Sequence, residues 1–197
     1  MALTKQSKVL NKTQIVSVRN HLQSGRNALR NDTIFLLSIK AGLRAKEIAE
    51  LKWIHVLSGD GTIDDTLRLP DSACKGRSGR EIPIHKEVLT NLQTLLEIAS
   101  RRKFSPEDHV IRTERSRSTS AQVIVNFFQG LYTRMGYVGC SSHSGRRTFI
   151  TECARKVSSV GGSLRDVQYL AGHSSLQTTQ RYIEGSSESK RKLIGII

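Results

Sequence analysis

Four stretches of the chain gather residue types that can handle a phosphate or a proton. In GLRAKEIAEL, Arg44 stands where one glycine-ended helical segment meets the next, with Glu47 three positions on. A guanidinium fixed at such a junction offers a planar fork to two phosphate oxygens, and Glu47 can orient it. The same pair also reads as an ordinary i,i+3 surface ion pair. In CKGRSGR, Lys75 is followed by Gly76, Arg77 and Arg80. A pliant basic turn suits insertion along a nucleic-acid groove, and its Lys can donate a proton; a solvated turn is the plain alternative. In SSHSGRRTF, His143 and Arg146 are three apart and share a face at a helix start. Histidine exchanges protons near neutral pH, whereas arginine holds phosphate charge. The hydroxyls of Ser141, Ser142 and Ser144 can cap that helix and leave N–H groups for an anion; a structural His beside a basic patch is the ordinary reading. In LAGHSSLQTTQRY, His173 follows a glycine, Ser174 or Ser175 can cap a short helix, and Tyr182 falls toward its end. Taken alone, that tyrosine reads as a core residue.

The elements that must position these groups are mostly helical. NKTQIVSVRNHLQSG reads as a short helix ending near Gly25, and NDTIFLLSIKAGL as one capped at Asn31 or Asp32 and stopped at Gly42. RAKEIAEL follows, with Ile48 and Leu51 on one face. TIDDTLRLP and GREIPIH then alternate by two around the turn residues DSACKGRSG, the pattern of a β-hairpin with a basic tip. Helical spacing returns at Val88, Leu92, Leu95 and Ala99, and again at Val123, Phe127 and Leu131. VSSVGGS reads as a flexible connector. Ser163 and Asp166 then form a capping box for a helix that buries Leu164, Val167 and Leu170 and ends at Gly172.

The chain has 197 residues, 37% of them apolar, which suits one globular domain with or without a short extension. That length buries a core without help from disulfides or metal. Lys and Arg number 31 against 17 acids, a net charge of +14, and the expected partner is therefore a polyanion, most often nucleic acid. Cys74, Cys140 and Cys153 are odd in number and lack C-x-x-C spacing, so neither a disulfide framework nor a zinc site is expected. Reduced thiols point to the cytoplasm. No apolar run reaches the ~18 residues of a membrane-spanning helix, and the start of the chain lacks the apolar stretch of a secretory signal.

Taken in order, Arg with Glu three later, a hairpin Lys, H-x-x-R, then G-H and a Tyr nine residues on resemble the tyrosine recombinases, or phage-type integrases. The match runs in register from Leu10 to Glu184. The resemblance implies a mainly α catalytic domain with a small antiparallel β-sheet (α+β) over residues 1–184. It implies a tail over 185–197 that docks in cis or in trans, and no N-terminal core-binding domain in this chain. It further implies that Tyr182 attacks a DNA phosphodiester, forming a 3′-phosphotyrosyl bond and releasing a 5′-hydroxyl. A 5′-hydroxyl then attacks that bond to complete strand exchange, with no metal, ATP or other cofactor. By the same resemblance Arg44 and Arg146 clamp the phosphate and His173 adds a hydrogen bond. His143 accepts the phenolic proton and Lys75 protonates the leaving oxygen. Arg77 and Arg80 are assigned to DNA contact, and Glu47 to orienting the Arg44 region. The implied partner is double-stranded DNA, bound by a homotetramer on two sites, in the cytoplasm of a prokaryote or under mobile-element control. Ser144-Gly145 within H-x-x-R departs from the usual apolar second position and is expected to loosen local packing. The alternative reading is a non-catalytic DNA-binding regulator of helix-turn-helix type.

Overall fold

Asn11 starts the first helix, α1 (Lys12–Gln23): its side-chain oxygen accepts from the Gln14 N–H, and the Gln14 side chain accepts from the Asn11 N–H. This computed structural model describes residues 6–74, 78–114, 116–182 and 194–195. The next helix, α2 (Ala28–Lys40), begins earlier than its sequence suggests, after Asn27 in a left-handed conformation at φ 58°. Asp32 is no cap. It lies within α2, forked by the Arg19 guanidinium of α1 at 3.0 and 3.1 Å and bonded by the Asn91 amide at 3.0 Å. Three donors hold this buried carboxylate in the helix interior, where a cap could not reach them.

Ile34, Phe35, Leu36, Leu37 and Ile39 of α2 are all buried, so this helix is the axis of the core. It packs against α1, α4 (Lys86–Ser100) and α6 (Ser144–Lys156), while the short α3 (Ala45–Ala49) packs on α5 (Ala121–Arg134). Helices α7 (Leu164–Ala171) and α8 (Leu176–Gln180) follow. The buried face of α5 is Ile124, Phe128, Leu131 and Tyr132, not the expected Val123–Phe127 face; Val123 is 46% exposed. Each fully buried large apolar side chain contributes ~1.5–3 kcal/mol. The observed rotation covers both Phe128 and Tyr132, whose rings stack at 5.9 Å.

The hairpin is present but shorter than its pattern. Strands β1 (Thr66–Leu69) and β2 (Arg80–Pro83) pair antiparallel, with Thr66 opposite Pro83 and Leu69 opposite Arg80. Ile63 bridges Leu57 instead of extending β1. Period-two alternation turns Leu67, Leu69, Arg80 and Ile82 inward. The expected connector VSSVGGS is in part ordered, since Val157–Val160 form a 3-10 turn that continues α6. A small second cluster of Ile150, Ala154, Val167 and Ala171 joins α6 to α7, and Tyr182 packs against it.

Ser144-Gly145 does not loosen the packing. A Cβ at position 145 would fall 2.3 Å from Ser38 Oγ and 2.9 Å from Ser38 Cβ. The missing side chain is what lets the start of α6 lie directly on α2.

Candidate active site

Two turns and one helix start build the site. At the first turn, Arg44 precedes α3 and Glu47 reaches back to it. Glu47 Oε2 accepts from the Arg44 N–H at 2.8 Å and Oε1 from Nη1 at 2.7 Å. Glu47 is fully buried, and burial alone would push its carboxyl up. Hydrogen bonds and charge from Arg80, then Arg44, more than offset this and hold it at about 2. The Arg44–Glu47 pair is therefore no solvated surface pair.

The second turn is the end of α7. Gly172 adopts φ 57°, ψ 48°, a left-handed stop that an L side chain resists. It leaves the carbonyls of Leu170, Ala171 and Gly172 to accept from three arginines. Arg80 Nε donates to Leu170 O at 2.9 Å, Arg146 Nη2 to Ala171 O, and Arg44 Nη2 to Gly172 O at 3.2 Å. The negative end of the α7 dipole thus gathers positive charge. Arg146 Nη1 also donates to Gly42 O at 2.6 Å. Burial, then the neighbouring Arg44, lowers the Arg146 guanidinium to about 10, and it remains a cation at neutral pH. Arg44 and Arg146 thus meet at neighbouring carbonyls of the α7 stop.

His143 stands at the start of α6. Desolvation, then the charges of Arg146 and Arg44, lowers its imidazole below the ordinary histidine value. His173 follows Gly172, and its Nδ1 lies 3.0 Å from Oγ1 of the buried Thr179. Desolvation, then Arg146, Arg44 and Arg80, pushes His173 down to about 4. Both imidazoles are neutral at pH 7, each with one N–H donor and one acceptor nitrogen. Tyr182 comes just after α8 with its ring stacked on His173, centroids 5.7 Å apart. Arg147 lies over the tyrosine ring, its Cζ 5.7 Å from the centroid. His143, Arg146, Arg147, Thr178, Arg181 and Tyr182 line one pocket of about 240 Å³. This arrangement can surround a small anion with cations, neutral proton acceptors and a phenol.

Arg147, Thr179 and Arg181 escaped the sequence reading. Arg147 directly follows Arg146 and was hidden by that adjacency, because successive helical residues face different ways. Arg80 departs from its expected role as a DNA contact. Its side chain is 1% exposed and lies beneath the site against Glu47. Lys75 and Arg77 lie outside the described residues. Among the described residues no three His, Cys, Asp or Glu side chains are placed to hold a metal.

Residues 8–188 match the profile of the phage integrase family. Tyrosine recombinase XerC of Leptospira interrogans is 27% identical over 186 residues, covering 93% of this chain and 56% of that protein. XerC of Haemophilus ducreyi is 33% identical over 161 residues, covering 78% of this chain and 47% of that protein. The chain thus spans about half the length of these curated relatives. Among solved structures, XerA recombinase shares the fold with a TM-score of 0.75 at 20% identity, over 95% of this chain and 64% of that one. The Tn1549 transposon integrase in complex with a circular intermediate DNA gives 0.74 at 18% identity, over 99% and 67% respectively.

Proposed function

Because this chain belongs to the phage integrase family, we propose that it cleaves and rejoins strands of double-stranded DNA through a 3′-phosphotyrosyl bond to Tyr182. The phenolic oxygen attacks phosphorus as the bond to the 5′-oxygen breaks. His143 takes the phenolic proton, and Lys75 gives a proton to the departing oxygen. Arg44 and Arg146 hold the non-bridging oxygens, where charge builds in the transition state, and the neutral His173 adds an N–H bond. Reversal with a second strand's 5′-hydroxyl completes the exchange. A free phenol titrates near 10 and is a weak nucleophile at neutral pH, so the reaction needs the cations and acceptors gathered here.

The observation that carries this reading is the convergence of Arg44, Arg146 and His173 on the α7 stop, with Tyr182 stacked on His173. A net charge of +14 supports a polyanionic partner. The family match runs against a helix-turn-helix regulator. The working form in this proposal is a homotetramer on two DNA sites in the cytoplasm; no described helix is long and apolar enough to cross a membrane. Residues 1–184 act as the catalytic domain and residues 185–197 as a docking tail. A largely apolar groove of about 920 Å³, with Leu10, Ile15, Phe149, Val157 and Leu170 in its walls, supports the docking of such a tail. Of that tail only residues 194–195 lie within the described residues.

The test is a nicked suicide duplex drawn from DNA flanking the coding sequence. The protein should become attached in a form that survives denaturing gels, and Tyr182→Phe should still bind the duplex yet form no attached species. Full trapping by Tyr182→Phe removes Tyr182 as nucleophile.

A further inference from the structure

We propose that Arg80 is a positioning residue for strand cleavage: it grips Glu47 from β2 so that Glu47 can hold Arg44 in line with the phosphate. This inference rests on the DNA-cleavage reading above. Arg80 occupies an inward strand position opposite Leu69, where alternation would call for an apolar residue. Its Nη1 and Nη2 reach Glu47 Oε1 and Oε2 at 3.1 and 3.0 Å, a two-pronged contact. The same Oε1 and Oε2 accept from Arg44 Nη1 and the Arg44 N–H. Each carboxylate oxygen is therefore shared by one bond from Arg80 and one from Arg44.

That sharing decides what Arg80 does. Held by Arg44 alone, the carboxylate would be free to swing with it. Clamped on both oxygens by a second planar group rooted in a strand, it becomes a fixed abutment. Arg80 also donates from Nε to Leu170 O, one residue before the carbonyls that Arg146 and Arg44 use. It thus ties hairpin, α3 and the α7 stop into one frame. Gly172 fits this frame closely, since a Cβ there would come within 2.9 Å of Arg80 Nη1. A structural ion pair alone would not be wired to both halves of the phosphate clamp.

The charged and titratable groups facing Glu47 are Arg44 on its own segment, Arg80 on β2, Arg146 on α6 and Cys74 at the end of the β1 turn. With Arg80 present, Glu47 stays ionised down to about 2. Without it, burial pushes the carboxyl up, and protonation then frees Arg44.

The experiment compares wild type, Arg80→Met, Arg80→Lys and the double variant Arg80→Met/Glu47→Gln in covalent cleavage of the nicked duplex. Arg80→Met should lose ~10²-fold in cleavage rate, the cost of about 1 Å of misplacement. DNA affinity should stay within about threefold, because the charge lost is buried away from phosphate. Its rate should gain a further acid limb as Glu47 protonates, beyond the fall that protonation of His143 gives in wild type. The double variant should lose that limb. Arg80→Lys, which keeps the charge but not the fork, should lie between and serves if Arg80→Met fails to fold. Arg19→Met, which breaks the Arg19–Asp32 pair outside the site, controls for plain instability. A wild-type rate in Arg80→Met, a loss without the further acid limb, or an equal loss in Arg19→Met overturns the proposal. Carbon-13 NMR titration of Glu47 in the DNA-free proteins tests it apart from catalysis. An upward shift in Arg80→Met supports the clamp, and an unmoved Glu47 overturns it. Failure of wild type to cleave any duplex counts against the DNA reading and leaves the NMR result to decide the clamp.

Discussion

Replacing Gly145 by alanine should destabilise the protein and slow cleavage together. The added methyl would sit 2.3 Å from Ser38 Oγ, 2.9 Å from Ser38 Cβ and 3.3 Å from the Ser38 carbonyl carbon. The hydroxyl can rotate away, but the Cβ and backbone of α2 cannot, so the two helices must part by several tenths of an ångström. Overpacking of that kind costs ~1–3 kcal/mol. Better helix propensity returns at most ~1 kcal/mol, and less in a first turn. The net loss is about 1–2 kcal/mol, or roughly 2–8 °C in Tm for a chain of this size. Arg146 is the next residue, and its two carbonyl partners at Gly42 and Ala171 stay where they are. Cleavage should therefore fall beyond what stability alone explains, by up to ~10²-fold. Urea and thermal unfolding, with covalent trapping, measure both effects. Ser38 Oγ is buried without a hydrogen-bond partner among the described residues, so Ser38→Ala should be neutral or mildly stabilising. In that background most of the Gly145→Ala loss should remain, because the Ser38 Cβ and carbonyl carbon stay in place. A neutral or stabilising Gly145→Ala would refute the close α2–α6 contact.

Acid should weaken the fold through Glu47. Its carboxyl falls from 4.5 to about 2 on folding, which corresponds to about 3 kcal/mol of stability. A depressed carboxyl stabilises above its unfolded value, so this contribution is whole above about pH 4.5 and lost as pH falls toward 2. Denaturant titrations across that range should show it, and Glu47→Gln should flatten the slope. Arg146→Lys should lose ~10²–10³ in cleavage rate while still binding DNA, because one ammonium cannot span Gly42 O and Ala171 O and also present a planar fork; single-turnover trapping measures it. Affinity for duplex DNA should fall steeply with salt as counterions are released, and fluorescence anisotropy at several salt concentrations gives the slope.

Local signals carried much of the architecture. The Asp166 carboxylate accepts from the Ser163 N–H, the reach-back half of the expected capping box, and Gly172 ends the helix where its position implied. Val88 and Leu92 face the core on the predicted stripe of α4. Three of the misreadings share a cause: each depended on a partner far along the chain. Asp32 looks like a cap until Arg19 and Asn91 are folded beside it. VIVNFF in α5 offers two apolar stripes, and only the packing of α3 on α5 selects one. Gly145 looks like a flaw until α2 lies against it. Arg80 was half legible. Its alternation with Ile82 marks it as inward, and an inward arginine demands a buried acid; nothing local says that the acid is Glu47, 33 residues earlier. Tyr182 became legible only through the order of all four stretches, since its partners His173 and Arg147 meet it in space.

The central claim is that Tyr182 carries the DNA 3′-phosphate. Trapping the protein on a nicked duplex, digesting both components and sequencing the adduct by mass spectrometry tests it most directly. The account predicts a nucleotide joined through its 3′-phosphate to the peptide containing Tyr182, with a free 5′-hydroxyl on the released strand. An adduct on another residue, or a 5′-phosphate linkage, would contradict it.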